Sequence, residues 1–113
     1  MIRFRAYSPK LKKIFYISDD CGGEYIVVNI KKEKKCFIFE TSETLNVHYK
    51  VNVIDIKGND IFENDTLIID GEKYLLYYDA TRYTMVVRNL KNNEESLFWQ
   101  HLSKKIETMG YIY

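Results

Sequence analysis

The chain has 113 residues with a formal net charge of +1 at pH 7, and 46% of its residues are hydrophobic. That length suits one domain, or one domain with a small appendage, and the apolar content excludes a disordered chain. The near-neutral charge gives no general preference for nucleic acid or anionic membranes. No apolar run approaches the ~20 residues of a membrane-spanning helix, and the charged N-terminus excludes a secretory signal. We therefore expect a cytoplasmic protein that makes no membrane contact.

The first half of the chain is predicted to form short β-strands. Residues 2–7 alternate polar and apolar side chains, which indicates a half-buried strand with Phe4 inward and with Arg3 and Arg5 outward. The lysines at 31–34 are typical of a protected strand edge, and a phosphate-binding role is the alternative. Further strands are predicted at 13–17, at 25–30 just before these lysines, and at 35–40 just after them.

The second half continues the β pattern. Asp70-Gly71 is predicted to close a hairpin, because this dipeptide favours tight turns. Residues 94–102 begin like a helix, with two acids after Asn93, and a strand is the alternative. The predicted strands lie at 48–56, 66–70, 73–78, 83–89 and 106–113.

The hairpin between the strands at 73–78 and 83–89 has a predicted register. Pairing Tyr78 with Tyr83 places Asp79 opposite Arg82, which is a favourable charge pair. The predicted core consists of apolar side chains on the inward faces of the strands: Phe4, Ile14, Ile26, Val28, Phe37, Val53, Ile68, Leu76 and Val87.

Charge is distributed unevenly along the chain. Residues 1–50 carry ten Lys/Arg against six Asp/Glu, a net charge of +4, and residues 51–113 carry a net charge of −3. Acids cluster in β-turns, so solvated turns explain the seven acids of the stretch 55–79. The alternative is an acidic face, set apart from the lysines at 31–35, that attracts a basic protein or allows weak self-association. The candidate binding residues of that face are Asp60, Glu63 and Asp65.

The sequence contains no catalytic signature. A Gly-rich phosphate loop and the HExxH, GxSxG and CxxC motifs are all missing from it. His48 is predicted as a packed or half-exposed strand residue, and His101 as a surface residue next to a buried Trp99; a ligand-facing pair of Trp99 and His101 is the alternative. Cys21 and Cys36 are predicted as free thiols that lack metal-ligand spacing. We predict a protein that is not an enzyme and that holds neither a metal nor a cofactor. An enzyme whose residues gather from distant strands is the alternative.

Aromatic side chains form the most distinctive candidate site. A surface that combines rings with a guanidinium suits an extended peptide or stacked bases. A small β core built from large side chains explains the same residues. With a net charge of +1, a protein partner is favoured over single-stranded nucleic acid, because phosphate contacts need clustered Lys/Arg. The residues of this candidate site are Tyr77, Tyr78, Arg82, Tyr83 and Trp99.

Three segments of the chain resemble the YopX family, small proteins found in phages and prophages of Gram-positive bacteria. The opening Ile2-Arg3-Phe4-Arg5-Ala6 is similar to the family's first strand. The family's central segment resembles Gly58-Asn59-Asp60-Ile61-Phe62-Glu63-Asn64-Asp65, which leads here into an apolar strand. The closing segment of the family resembles Gly110-Tyr111-Ile112-Tyr113.

The resemblance implies an SH3-like barrel at 51–113 that carries an N-terminal β extension at 1–50, in the cytoplasm of an infected or lysogenic cell. The family has no established activity, so it supplies no catalytic residues, and a fold match alone does not establish a function. Sequence and resemblance together predict a mainly β, non-catalytic phage protein that binds a host or phage macromolecule. A protein partner is favoured, and single-stranded nucleic acid is the alternative.

Overall fold

The computed structural model describes residues 2–10, 12–21, 24–28, 34–36 and 46–112. The chain divides into two compact units, Met1–Lys50 and Val51–Tyr113. Strands account for 56% of the structure, and no helix in the described ranges reaches seven residues. The prediction of a mainly β chain with a barrel-like, curled antiparallel sheet is therefore confirmed. Within those ranges no helix is long and apolar enough to cross a membrane.

The first unit is an antiparallel sheet in which β1 lies between two partners. Ala6 of β1 faces Phe15 on one side and Val47 on the other. The strand order is β4-β3-β2-β1-β5, and β5 continues into the second unit. The strands are β1 (Ile2–Ser8), β2 (Lys13–Cys21), β3 (Glu24–Val28), β4 (Lys34–Cys36) and β5 (Asn46–Ile54).

The second unit contains a five-stranded antiparallel sheet of order β10-β9-β8-β7-β11. In addition, β6 pairs with the last part of β5. A single 3₁₀ turn, Phe98–His101, follows β10 directly. Residues 94–102 thus contain a short strand followed by a 3₁₀ turn. The strands are β6 (Asp60–Phe62), β7 (Thr66–Ile69), β8 (Glu72–Asp79), β9 (Thr84–Asn89), β10 (Glu95–Leu97) and β11 (Ile106–Thr108).

The core of the second unit lies on one face of this sheet. Leu76 and Val87 are fully buried, as predicted. Ile68 was wrongly predicted in the core, because side chains alternate along a strand and β7 turns its neighbours inward instead. Val53 and Ile14 are partly buried. The buried apolar cluster consists of Ile61, Leu67, Ile69, Leu76, Val87, Phe98 and Ile106.

Several predictions fall on parts of the chain that lie outside the described residues. Phe37, the lysines at 31–33 and residues 41–45 belong to this group. For five further residues the structure describes the backbone and not the side chain: Phe4, Cys21, Ile26, Val28 and Cys36.

The β8–β9 hairpin has a register two residues away from the predicted one. Tyr78 pairs with Met85 and Asp79 pairs with Thr84, so Tyr83 lies in the loop, where its φ is 53°. The cause is Asp79, whose Oδ1 accepts the Thr81 backbone N–H (2.9 Å) and starts the loop there. A shift of two residues keeps every strand side chain on its predicted face.

Two buried aspartates tie the last strand to the turns on either side of β6. Asp55 Oδ1 accepts the backbone N–H of Asn59 (2.8 Å), and its Oδ2 accepts the backbone N–H of Thr108 (3.0 Å). Asp65 Oδ2 accepts the Phe62 backbone N–H (3.0 Å) and the Thr108 hydroxyl (2.8 Å). We call these contacts the carboxylate clip. Asp65, only 1% exposed, is therefore a structural residue and was wrongly predicted as part of a binding surface.

The pKa of Asp55 reflects this clip. Burial by itself raises the pKa of the carboxyl group. Hydrogen bonds from Thr108, Asn59 and Lys57 outweigh that effect, so the pKa lies below its ordinary value. Asp55 is thus held as a carboxylate by the groups that it fastens together.

Arg5 and His48 form a buried pair in the first unit. They lie opposite each other on β1 and β5, and both are buried. Arg5 Nε donates to His48 Nδ1 at 3.0 Å. The prediction that Arg5 points outward is wrong, because the imidazole across the strand accepts a hydrogen bond from its guanidinium. Burial, and then the Arg5 charge, lower the pKa of His48 from 6.5 to about 4.

This pair makes stability depend on pH. Between pH 6.5 and 4 the unfolded chain binds a proton at His48 and the folded chain does not. The free energy of unfolding should therefore fall as pH drops through this window, by about 3 kcal/mol from this residue alone. Urea unfolding of the wild type and of His48→Gln, whose amide oxygen can accept from Arg5, measures the difference. Equal pH dependence in the two proteins would contradict the assignment.

A substitution in the core tests the packing of the second unit. Leu76→Ala should lower the free energy of unfolding by about 3 kcal/mol, because it opens a cavity in a fully buried cluster. The matched control is Leu90→Ala, which alters a side chain that is 45% exposed and should cost about 0.5 kcal/mol or less. Chemical denaturation followed by far-UV circular dichroism gives both values, and similar losses would refute the proposed core.

Candidate functional site

One end of the five-stranded sheet gathers most of the predicted aromatic site. Thr66, the first residue of β7, exchanges backbone hydrogen bonds with Met109 and Gly110, which follow β11. The registers of the five strands place their termini so that the β8–β9 loop, the 3₁₀ turn and residues 109–112 emerge together. We call this end of the sheet the loop end.

The loop end exposes large apolar and aromatic side chains. Tyr83 is 84% exposed, Trp99 is 61% exposed and Tyr78 is 48% exposed. Met109 and Ile112 are also exposed there. These five residues form the loop-end surface. Because they face solvent, they do not serve as core-building side chains, and exposed apolar side chains at one end of a sheet are a candidate site of interaction.

Arg82 is held between two carboxylates beside this surface. Its Nε lies 2.6 Å from Asp79 Oδ2, and its Nη2 lies 2.5 Å from Glu95 Oε2. The Tyr77 hydroxyl also interacts with Glu95 and lowers the pKa of that carboxyl group. The guanidinium that was predicted as a contact for phosphate is therefore already neutralised by the protein itself.

The pKa values of this cluster follow from the same contacts. Hydrogen bonds from Thr81 and then from Arg82 hold the pKa of Asp79 well below its usual range. The Tyr77 hydroxyl and then Arg82 lower the pKa of Glu95. Burial, followed by the hydrogen bond to Glu95, raises the pKa of Tyr77. Both carboxylates consequently remain charged and the phenol remains neutral around pH 7.

The acidic candidate residues do not form one exposed face. Asp60 is exposed, Glu63 is partly buried, and Asp65 belongs to the carboxylate clip. Asp55 is also buried, so the stretch 55–79 is only partly a set of solvated turns. The lysines at 31–35, which were predicted to lie on another face, are outside the described side chains.

Ser96 and His101 form a contact that the sequence analysis missed. Ser96 Oγ lies 2.8 Å from His101 Nε2, and the Lys104 ammonium lies 3.4 Å from His101 Nδ1. An ammonium can only donate, so the neutral imidazole carries its proton on Nε2 and donates it to Ser96. Hydrolytic Ser–His pairs need the opposite tautomer, in which the lone pair faces the hydroxyl. Burial, then the Lys104 charge, lowers the pKa of His101.

Other functional signals are limited in the part of the chain that the structure describes. No group of three or more His, Cys, Asp or Glu side chains there is arranged to hold a metal ion. No protein-family model, curated protein or solved structure matches the chain. The geometry of the loop end therefore provides the main basis for a functional assignment.

The candidate site from the sequence included three of the five residues of the loop-end surface. The prediction of a buried Trp99 with a surface His101 is wrong, because Trp99 is 61% exposed and His101 is buried. Sequence reasoning missed Met109 and Ile112, because it assigned them to a closing strand, whereas β11 ends at Thr108. It also missed Glu95 as a partner of Arg82, since the two are thirteen residues apart. The available signal for Ser96 and His101 was their closeness in sequence, since the two polar residues stand on either side of the four-residue segment 97–100.

The tautomer of His101 can be measured directly. We expect long-range ¹H–¹⁵N spectra at pH 7 to show a neutral ring that is protonated on Nε2. Ser96 should not react with a fluorophosphonate probe, and its labelling should match that of Ser96→Ala. A ring protonated on Nδ1, or labelling that disappears in the variant, would instead indicate an activated serine.

Proposed function

We propose that the chain is a small, non-catalytic binding protein whose loop-end surface contacts a protein partner. The observation that carries the proposal is the exposure of Tyr83, Trp99 and Tyr78 at one end of the sheet, beside an arginine that is already neutralised. Supported by the resemblance to the YopX family, we further propose that it is a phage or prophage product. Its partner is then a host or phage protein in the bacterial cytoplasm.

The aromatic composition of the surface supports a protein partner. Tyrosine and tryptophan are enriched at the centres of protein interfaces, because they bury a large area at a small cost in side-chain entropy. Met109 and Ile112 add apolar area at the same end. The neighbouring ionic groups, Arg82 with Asp79 and Glu95, suit the polar rim of such an interface.

Single-stranded nucleic acid is the second candidate, because exposed rings can stack on bases. Its affinity would depend on cations that meet the phosphates. Arg82 is the cation of the β8–β9 loop that carries Tyr83, and its guanidinium is already paired with two carboxylates. Those carboxylates would also repel a phosphate backbone. The charge arrangement therefore favours a protein.

Paired variants test the proposal. Tyr83→Asn, which keeps a residue that tolerates positive φ, combined with Trp99→Gln removes two rings of the loop-end surface. Affinity capture from host lysate with this double variant should lose a protein that the wild type retains after nuclease treatment. Leu90→Gln is the control, because Leu90 is exposed directly after β9 at the opposite end of the sheet. It should capture the same protein as the wild type.

The salt dependence of binding separates the two candidates. Filter binding with single-stranded oligonucleotides should give weak affinity at low salt. If binding is tight, weakens steeply with salt and is abolished in the double variant, the partner is single-stranded nucleic acid and not a protein. If Leu90→Gln fails to capture the protein to the same extent as the double variant, the loop-end surface is not the contact site.

A further inference from the structure

Asp79, Arg82 and Glu95 carry one more negative than positive charge beside the loop-end surface. We call these three residues the loop-end charge cluster. Arg82 lies 2.6 Å from a carboxylate oxygen of Asp79 and 2.5 Å from one of Glu95. The side chains of Arg82 and Glu95 are 47% and 41% exposed. A group on a partner can therefore reach the cluster from solvent.

The carboxylate of Glu95 has room for a further donor. The Arg82 Nη2 and the Tyr77 hydroxyl interact with it, whereas an ionised carboxylate offers about four lone-pair sites. Glu95 begins β10 opposite Arg88, but its carboxylate is bonded to Arg82, which belongs to the β8–β9 loop. The accepting oxygens are thus directed toward the loop end of the sheet.

The other cations of residues 51–113 lie away from the β8–β9 loop. Lys57 pairs with Glu107 of β11. The remaining five lie toward the opposite end of the sheet, in the β7–β8 hairpin, at the end of β9, in the turn after it and just before β11. Three acids are found there as well, so that end has a net charge of +2. These cations are Lys73, Arg88, Lys91, Lys104 and Lys105, and the acids are Asp70, Glu72 and Glu94.

The exposed rings favour the same kind of partner as the charge cluster. The face of a tyrosine or tryptophan ring carries negative partial charge and attracts an ammonium or guanidinium group. Tyr83 directly follows Arg82 in the chain, and both Tyr83 and Trp99 are exposed. An acidic segment would meet the two carboxylates, and Arg82 is already bonded to both of them. Charge complementarity therefore selects a basic segment.

We propose that the loop-end surface binds a basic segment of the protein partner, in which a Lys or Arg side chain bonds to Glu95. This inference rests on the proposed function, since it takes the partner to be a protein that contacts the exposed rings. The cation from the partner brings the charge of the cluster from −1 to zero, while apolar neighbours in the segment cover Tyr83 and Trp99. Complementary charge of this kind sets the choice of partner and speeds association.

Three short peptides test the sign of the charge on the full chain. Each is N-acetylated and C-amidated and has three charged or polar residues that alternate with two leucines: lysine, glutamine or glutamate. The chain has a single tryptophan, so the indole N–H signal of Trp99 reports binding in NMR titrations. The lysine peptide should shift this signal saturably and bind about tenfold more tightly than the glutamate peptide, with the glutamine peptide between them. Equal affinities, or tighter binding of the glutamate peptide, would overturn the proposal.

Two neighbouring glutamates provide a matched pair of variants. Glu95→Gln and Glu94→Gln remove the same charge from adjacent exposed residues. Glu95→Gln should weaken binding of the lysine peptide about tenfold, because it removes a charge-assisted hydrogen bond, and Glu94→Gln should bind it like the wild type. Arg82→Gln should bind it more tightly, since the charge of the cluster falls to −2. Equal losses in both glutamate variants, or weaker binding by Arg82→Gln, would refute Glu95 as the contact.

A second copy of the chain is the competing occupant, because the opposite end of the sheet is positively charged. A Trp99 signal that shifts with protein concentration alone would indicate self-association and overturn the proposal. The proposed function fails by a different result, namely capture of the protein by the Tyr83→Asn, Trp99→Gln double variant. Loss of capture in that variant, together with peptides that bind without regard to charge, would refute the basic segment and keep the protein partner.

Discussion

Thr108 links the edge strand β11 to the two turns that flank β6 in the second unit. Its backbone N–H and its hydroxyl reach two different aspartates, Asp55 and Asp65, one on each side of β6. Each carboxylate also accepts backbone N–H groups of its own turn. Buried carboxylates are tolerated only when they are hydrogen-bonded, so the three residues stabilise one another as a network. The described part of this unit has one helical element, a 3₁₀ turn. The carboxylate clip therefore attaches the edge strand β11 to the turns on either side of β6.

The position of the chain at the loop end depends on these bonds of Thr108. Directly after Thr108 the chain exchanges hydrogen bonds with Thr66, which places Met109 beside the start of β7. The β8–β9 loop and the 3₁₀ turn arrive at the same end through the sheet register. Near their exposed rings lies Arg82, whose guanidinium is paired with Asp79 and Glu95. The loop end therefore places exposed rings beside an arginine that is already neutralised.

The sequence predicted this fold as far as local patterns extend. Alternation identified the β-strands and the buried Leu76, but a shift of one residue placed Ile68 on the wrong face. Alternation along the first strand predicted Arg5 to point outward, and the acidic stretch 55–79 predicted Asp65 on a binding face. Each is buried beside a partner 43 residues away in the chain, His48 for the arginine and a threonine for the aspartate. Pairings across that distance leave no local periodicity, so single-sequence reasoning could not find them.

Site-specific photocrosslinking tests most directly whether the loop-end surface meets a protein. A benzophenone amino acid replaces Tyr83, or Leu90 at the opposite end of the sheet, and the protein is irradiated inside bacterial cells, the host that we propose. Position 83 should give a discrete adduct that protease destroys and nuclease leaves unchanged, and position 90 should give none. Adducts that nuclease destroys, or identical adducts from both positions, would contradict protein binding through this surface.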